Sequence, residues 1–150
     1  MLFRSSGETI ATLAFTEPSG KWGTAGITME ATQNGDSWTL DGTKSFVIDG
    51  HNANLIVVAA RVAGTTGDDG IAFFTVAGDA AGLTRTALST MDQTRKQAKL
   101  EFSGVAATPL GTPGQGAAAF EKTMQQAAIL LSNEMVGGAQ LDRKSTRLNS

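Results

Sequence analysis

The sequence predicts a mainly β fold with one C-terminal helix, its short strands closing into a barrel or sandwich. Three observations lead there. Apolar and polar residues alternate with a period of two through most runs as far as Val105. The 18 glycines fall mostly between these runs, where tight turns need them. Beyond Pro113 the apolar spacing changes to three and four, as on one face of a helix.

Residues 9–16 alternate apolar with smaller or polar side chains and read as the first strand, stopped by the turn Glu17-Pro18-Ser19-Gly20. Residues 27–32 repeat the pattern. Asn34-Gly35 then marks a hairpin, because both residues tolerate positive φ. Trp38-Thr39-Leu40 follows, with a second turn expected at Asp41-Gly42 and a further strand from Lys44 to Ile48. Strands joined by such tight turns make a meander. The run Leu55-Ile56-Val57-Val58-Ala59-Ala60 is continuously apolar, as in a strand buried on both faces. A glycine-rich loop over 64–70 separates it from strands at 71–76 and 83–86. Lys99-Leu100-Glu101-Phe102-Ser103 alternates cleanly, with Leu100 and Phe102 facing inward.

Pro113-Gly114-Gln115-Gly116 ends the β region, and a helix is expected from about residue 116 to 140. Phe120, Met124, Ala127, Leu131 and Met135 line one face, and Ile129, Leu130 and Val136 broaden it. Glu121, Lys122, Gln125, Gln126 and Asn133 occupy the other flank. A face this wide cannot be buried by one helix alone, so partner helices are expected to be missing from this chain, which reads as a fragment.

The 150 residues suit one domain with a sizeable core, and 41% hydrophobic content is ordinary for a globular protein. A net charge of -2, with basic residues scattered until the very end, gives no reason to expect nucleic acid or an acidic membrane as partner. The absence of cysteine excludes disulfides and thiolate chemistry in this segment and accords with a cytoplasmic location. Residues 1–7 lack the apolar core of a secretory signal, and no window reaches the ~18 apolar residues of a membrane helix. His51 is the single histidine, in a turn with no companion ligands, so no metal site is expected and His51 reads as a turn residue.

The last nine residues, Asp142-Arg143-Lys144-Ser145-Thr146-Arg147-Leu148-Asn149-Ser150, hold three of the 12 basic residues and abandon the apolar period. All nine match an in-frame translation of a common sequencing adapter, GAT-CGG-AAG-AGC-ACA-CGT-CTG-AAC-TCC. They are therefore expected to be an artefact and are excluded from the fold reading; the competing reading is a genuine basic helix end or nucleic-acid tail.

Ala14-Phe15-Thr16-Glu17-Pro18 resembles the small-apolar-Thr-Glu-Pro motif of the acyl-CoA dehydrogenases. Gly42-Thr43-Lys44-Ser45-Phe46-Val47-Ile48-Asp49-Gly50 is similar to that family's Gly-x-Lys-x-aromatic strand. Leu100-Glu101-Phe102-Ser103-Gly104-Val105 resembles the last barrel strand, and Val136-Gly137-Gly138-Ala139-Gln140 the end of the following helix. Each motif is weak; their order is specific. The resemblance implies an acyl-CoA dehydrogenase-like middle-domain β-barrel over 8–112 and the first helix of a C-terminal α-helical bundle over 113–141. Residues 1–7 would then end a truncated N-terminal helical domain, and 142–150 would be the adapter translation.

The function implied is FAD-dependent α,β-dehydrogenation of an acyl-CoA thioester, in which a carboxylate removes the α-proton and a hydride passes to flavin N5. Electron-transfer flavoprotein or another acceptor, and a homo-oligomeric assembly, are implied with it. The cofactor-binding residues carried over are Phe15 (through its backbone), Thr16, Trp22, Phe46, Val47 and Ile48. Thr16 would meet the flavin's pyrimidine end and Phe46, in place of a usual tryptophan, its ring system. Ile48 replaces a usual threonine, which leaves a backbone N–H or apolar surface to face N5. After Pro18 the family's Gly-x-Gly-Ser-Asp is replaced by Ser19-Gly20-Lys21-Trp22-Gly23, so Trp22 stands at the serine position and Lys21 is a possible phosphate partner. Glu17 and Asp92 are a conceivable carboxylate pair, but Glu17 belongs to the motif's turn and is expected to accept backbone hydrogen bonds. No catalytic residue is assigned: Ala127 occupies the helix position where one branch of the family has its glutamate, and the base is expected in the C-terminal region beyond this chain. The alternatives are a flavin oxidase or monooxygenase of the same fold, and a non-enzymatic β-barrel binding module.

Overall fold

The computed structural model describes residues 7–148, with side chains described through Lys144. Seven strands precede one long helix: β1 (Ala11–Ala14), β2 (Glu30–Asn34), β3 (Ser37–Ile48), β4 (Leu55–Val62), β5 (Ile71–Ala77), β6 (Leu83–Ala87), β7 (Gln97–Pro109) and α1 (Ala117–Leu148). The chain divides into two compact units, 1–117 and 118–150.

In the first unit the order β1-β4-β2-β3-β7-β5 returns on itself through pairing of β4 with β5, closing a barrel. Closure satisfies the edge hydrogen bonds that an open sheet would expose. Both edges of the ring are shared economically. β1 pairs in parallel with residues 55–58 of β4, and β2 takes over the same edge at Arg61 and Val62. On β7, β6 covers residues 98–102 and β5 joins at Thr108 and Pro109. The expected three-strand meander over residues 27–48 is thus only partly present: β2 and β3 form the hairpin at Asn34-Gly35, but the meander's second and third strands are one continuous β3. β1 joins β4 in parallel. Local turn chemistry specifies a hairpin, but not the distant partner of an isolated strand.

The turn expected at Asp41-Gly42 is also absent, because β3 runs unbroken from Ser37 to Ile48. An irregularity takes its place. Leu40 faces Val105 while Gly42 faces Phe102, so Ser103 and Gly104 on β7 oppose one residue of β3. Gly104 adopts φ 60 there, and its N–H donates to Asp41 Oδ1 at 2.7 Å. The Asp-Gly pair therefore stabilises a β-bulge rather than a reversal.

The core consists of inward residues from every strand except β6, including Leu40, Ile56, Val58, Phe74, Val76, Leu100 and Val105, all essentially inaccessible. Trp38 and Phe74 meet with ring centroids 5.2 Å apart. β4 is buried along most of its length, as its apolar run predicts, and Leu100 and Phe102 do face inward. Arg61 ends β4 buried, with its guanidinium donating to the carbonyls of Ile27, Thr24 and Asp69 and so tying two loops to the barrel.

In the second unit α1 continues beyond the expected end near residue 140 to Leu148. Leu, Arg and Lys in that stretch are good helix formers, and neither glycine nor proline interrupts it. Ile129, Leu130, Leu131, Met135, Val136 and Leu141 are exposed along it, in keeping with the broad apolar surface read from the sequence. No helix among the described residues is long and apolar enough to cross a membrane.

Phe74 fills the barrel centre, so Phe74→Ala should destabilise the first unit by about 3–5 kcal/mol, the transfer and cavity cost of a buried aromatic. Urea unfolding followed by tryptophan fluorescence measures it directly, since Trp38 is the ring's neighbour. A loss below about 1 kcal/mol would show that the core collapses onto the vacancy.

Candidate functional site

The residues singled out at the ends of the first and third strands come together. Thr12 Oγ1 donates to Ile48 O at 2.5 Å, Ser45 N donates to Thr16 O at 2.8 Å, and Lys44 Nζ reaches Phe15 O at 3.4 Å. The segment from Thr12 to Glu17 thus runs alongside the end of β3, and Thr16 and Phe46 lie on one edge of the barrel although 30 positions separate them.

A buried ion pair ties this edge to the interior. Lys44 Nζ lies 2.7 Å from Glu17 Oε1, with the two side chains 0% and 6% exposed. Glu17 also accepts from Thr28 N, Thr28 Oγ1 and Met29 N, so its expected role as acceptor for backbone N–H groups holds. Burial raises the carboxyl's pKa, but the Lys44 charge and the hydrogen bonds from Lys44, Thr28 and Met29 outweigh it and hold Glu17 below its ordinary 4.5. Burial pulls the Lys44 ammonium below the ordinary lysine value, against the opposing charge of Glu17. Asp92, the other acid considered, is exposed and accepts from Thr94 N and Oγ1. The two carboxyls have separate partners and form no pair.

Next to Lys44 the strand is irregular again. Lys44 faces Leu100 and Val47 faces Ala98, so Ser45 and Phe46 together oppose only Lys99. This second bulge reverses the expected alternation. Lys44 and Val47 both point inward, at 0% and 2% exposure, while Phe46 is turned out at 57%. Phe46 adopts φ 56, left-handed backbone that costs an L-residue roughly 1–2 kcal/mol. Asp49, φ 53, shares that conformation three residues later.

The other candidates divide. Ile48 is half exposed on the Phe46 side of the strand, and Trp22 is largely exposed with its ring edge-on to Phe15, centroids 5.8 Å apart. Val47 belongs to the core, so only its backbone can face outward. His51 lies in the turn after β3, with a buried Nδ1 that has no hydrogen-bond partner among the described residues. No group of acidic, histidine or cysteine residues fit to hold a metal occurs among the described residues. Lys44 is the residue to which sequence reasoning assigned no role. An inward position on a β-strand, four residues after Leu40 and in the same barrel as a Thr-Glu-Pro turn, was the available signal.

The pair predicts an acid response. Since the folded value of Glu17 lies below 4.5, unfolded chains take up the proton first as pH falls. The carboxylate's contribution is therefore complete above about pH 5.5 and is lost as pH drops below 4.5 through the lowered folded value. Glu17→Gln, which leaves a buried ammonium unpaired, should lose about 3–5 kcal/mol at pH 7 and show a shallower decline between about pH 5 and 3. Urea titrations across that range test both slopes; parallel curves would remove the assignment.

The comparisons agree with this geometry. Residues 12–105 match the family model described as acyl-CoA dehydrogenase, middle domain. The chain is 27% identical over 149 residues to the mitochondrial short-chain specific acyl-CoA dehydrogenase of Homo sapiens, covering 91% of this chain and 34% of that protein. It superposes on an acyl-CoA dehydrogenase from Geobacillus kaustophilus with TM-score 0.75 and 30% identity over 81% of this chain and 34% of that one. A glutaryl-CoA dehydrogenase from Mycobacterium smegmatis in complex with FADH2 matches with TM-score 0.59 and 27% identity over 74% of this chain and 27% of that one. The chain spans about a third of the length of the curated relatives it matches. With a barrel of this topology, the Thr-Glu-Pro turn locked to the Gly-x-Lys strand, and a family model covering most of that barrel, the chain belongs to the acyl-CoA dehydrogenase family.

Proposed function

We propose that this chain supplies the flavin-facing barrel wall of an FAD-dependent acyl-CoA dehydrogenase. The observation that carries the reading is the outward edge formed by Thr16, Phe46 and Ile48. An aromatic ring is displayed there on energetically unfavourable backbone, beside a threonine whose hydroxyl makes no hydrogen bond to a described residue. Strain of this kind persists where the surrounding structure imposes it and is concentrated at functional sites. The residues fit a flavin: Phe46 and Ile48 offer apolar surface to a planar ring system, and Thr16 a hydroxyl to its polar end. A relative of the same family holding FADH2 supports the choice of cofactor.

When bound, FAD supplies the hydride acceptor for oxidation of an acyl-CoA thioester. The chain's own residues orient and shield. Phe46 and Ile48 exclude water from one side of the ring, which strengthens the polar contacts that remain. Glu17 takes no part as a base, because both of its oxygens are engaged by Lys44, Thr28 and Met29. The general base for the α-proton is assigned to a carboxylate outside the described residues. Acyl-CoA as substrate, an electron-transfer flavoprotein or other acceptor, and a homo-oligomeric assembly complete the proposal.

Two variants of the whole protein test it. Thr16→Val keeps shape and removes a hydroxyl, so FAD affinity should fall by about 0.5–1.5 kcal/mol, the value of one hydrogen bond. Phe46→Gly removes the ring and relieves the left-handed backbone. It should weaken FAD binding while leaving the apoprotein at least as stable as wild type, as read by flavin fluorescence titration and by thermal unfolding. FAD affinity unchanged in both would rule out this edge as the flavin wall.

A further inference from the structure

We propose that Glu17 and Lys44 act as a positioning pair that sets the spacing and aim of Thr16 and Phe46, although neither charged side chain reaches the cofactor. The inference rests on the flavin-edge reading above and assigns the control of that edge to residues behind it.

The connections are made at successive residues. Phe15 O accepts from Lys44 Nζ, Thr16 O from Ser45 N, and Glu17 Oε1 from Lys44 Nζ. Residues 15–17 and 44–45 are therefore stitched together three times. Glu17 is itself fixed from the opposite side by the N–H groups of Thr28 and Met29, which lead into β2. Lys44 is thus held at its ammonium by Phe15 O and Glu17 Oε1. Val47, three residues on, is held in the core at 2% exposure. Between these two anchors β3 carries two residues where its partner β7 carries one. Ser45 is committed to Thr16, so the misfit falls on Phe46, which takes φ 56 and turns its ring outward. On this account the left-handed conformation is imposed by the anchor on its N-terminal side.

Charge is a costly way to fill a barrel, since well-packed apolar residues of similar volume are often as stabilising as a buried pair. An apolar pair, however, would have no directional bonds to Phe15 O, Thr28 N and Met29 N. Direction is what the ion pair adds, and it is spent on the edge that bears Thr16 and Phe46.

The test uses the whole FAD-bound protein and the double variant Glu17→Gln/Lys44→Met. Glutamine's carbonyl oxygen still accepts from Thr28 and Met29, and methionine fills the lysine stem's volume without an unpaired charge. Three readings are taken: amide exchange at Ser45, the absorption bands of bound flavin, and kcat and KM on an acyl-CoA. The proposal expects Ser45 exchange to quicken by about 10-fold, the equivalent of losing roughly one hydrogen bond. It also expects shifted flavin bands and a fall in kcat with KM held. Glu17→Asp, which keeps both charges and shortens the reach by one methylene, is expected to show the same pattern. Wild-type Ser45 exchange or wild-type flavin bands in a folded variant would overturn the proposal. Failure of the flavin reading is visible separately, as a wild-type protein that binds no FAD; the Ser45 exchange then still decides whether the pair positions the edge.

Discussion

A lysine ammonium and a glutamate carboxylate, closed off from solvent and 2.7 Å apart, join the first strand's extension to the third strand of the barrel. The outward edge adjoins that contact, and the proposed positioning of Thr16 and Phe46 rests on it. Without it, β1 would be a four-residue strand held by its parallel pairing with β4 and a few bonds to the end of β3. With it, the segment after β1 is pinned where Ser45 N can bond Thr16 O, and the adjoining bulge has a fixed end. The electrostatics are consistent. A carboxyl in this much protein would be pushed toward neutrality, yet Lys44, Thr28 and Met29 supply enough positive charge and donors to keep it ionised.

Two departures from regular pleating do most of the shaping. Each places an extra residue in one strand of the β3–β7 pair, first on β7 at Ser103 and Gly104, then on β3 at Ser45 and Phe46. The first is relaxed, because glycine takes the positive φ and Asp41 caps its N–H. The second puts a phenylalanine in the same kind of backbone, with its ring outside the core that would otherwise repay it. A fold selected for stability alone would have glycine there. The flavin wall proposed above would give that ring a purpose, and Ile48 is half exposed beside it.

Much of this was legible in the residues. Period-two alternation located β2 and the inward face of β7, short apolar runs between glycine-rich turns located β4, β5 and β6, and the change to three-four spacing located α1, because side-chain periodicity is a local property of the backbone. The ordered Thr-Glu-Pro and Gly-x-Lys motifs indicated which strand ends belong to one site. Less was legible wherever two segments distant in sequence settle the outcome jointly. Asp41-Gly42 has the composition of a turn, and only its alignment opposite Gly104 makes it part of a bulge. Val47 sits among the motif's outward candidates by position but turns inward, because the neighbouring extra residue shifts the alternation by one.

By itself, then, the sequence determined the mainly β class, the C-terminal helix, the family and the two strand ends that carry the candidate site, since these follow from local periodicity and from short motifs in a set order. The tertiary structure decided the parallel partnership of β1 with β4, the pairing of Lys44 with Glu17, and the outward aim of Phe46. Those depend on barrel closure, which brings together residues 27 positions apart and removes both charges from water; no window of sequence contains that constraint.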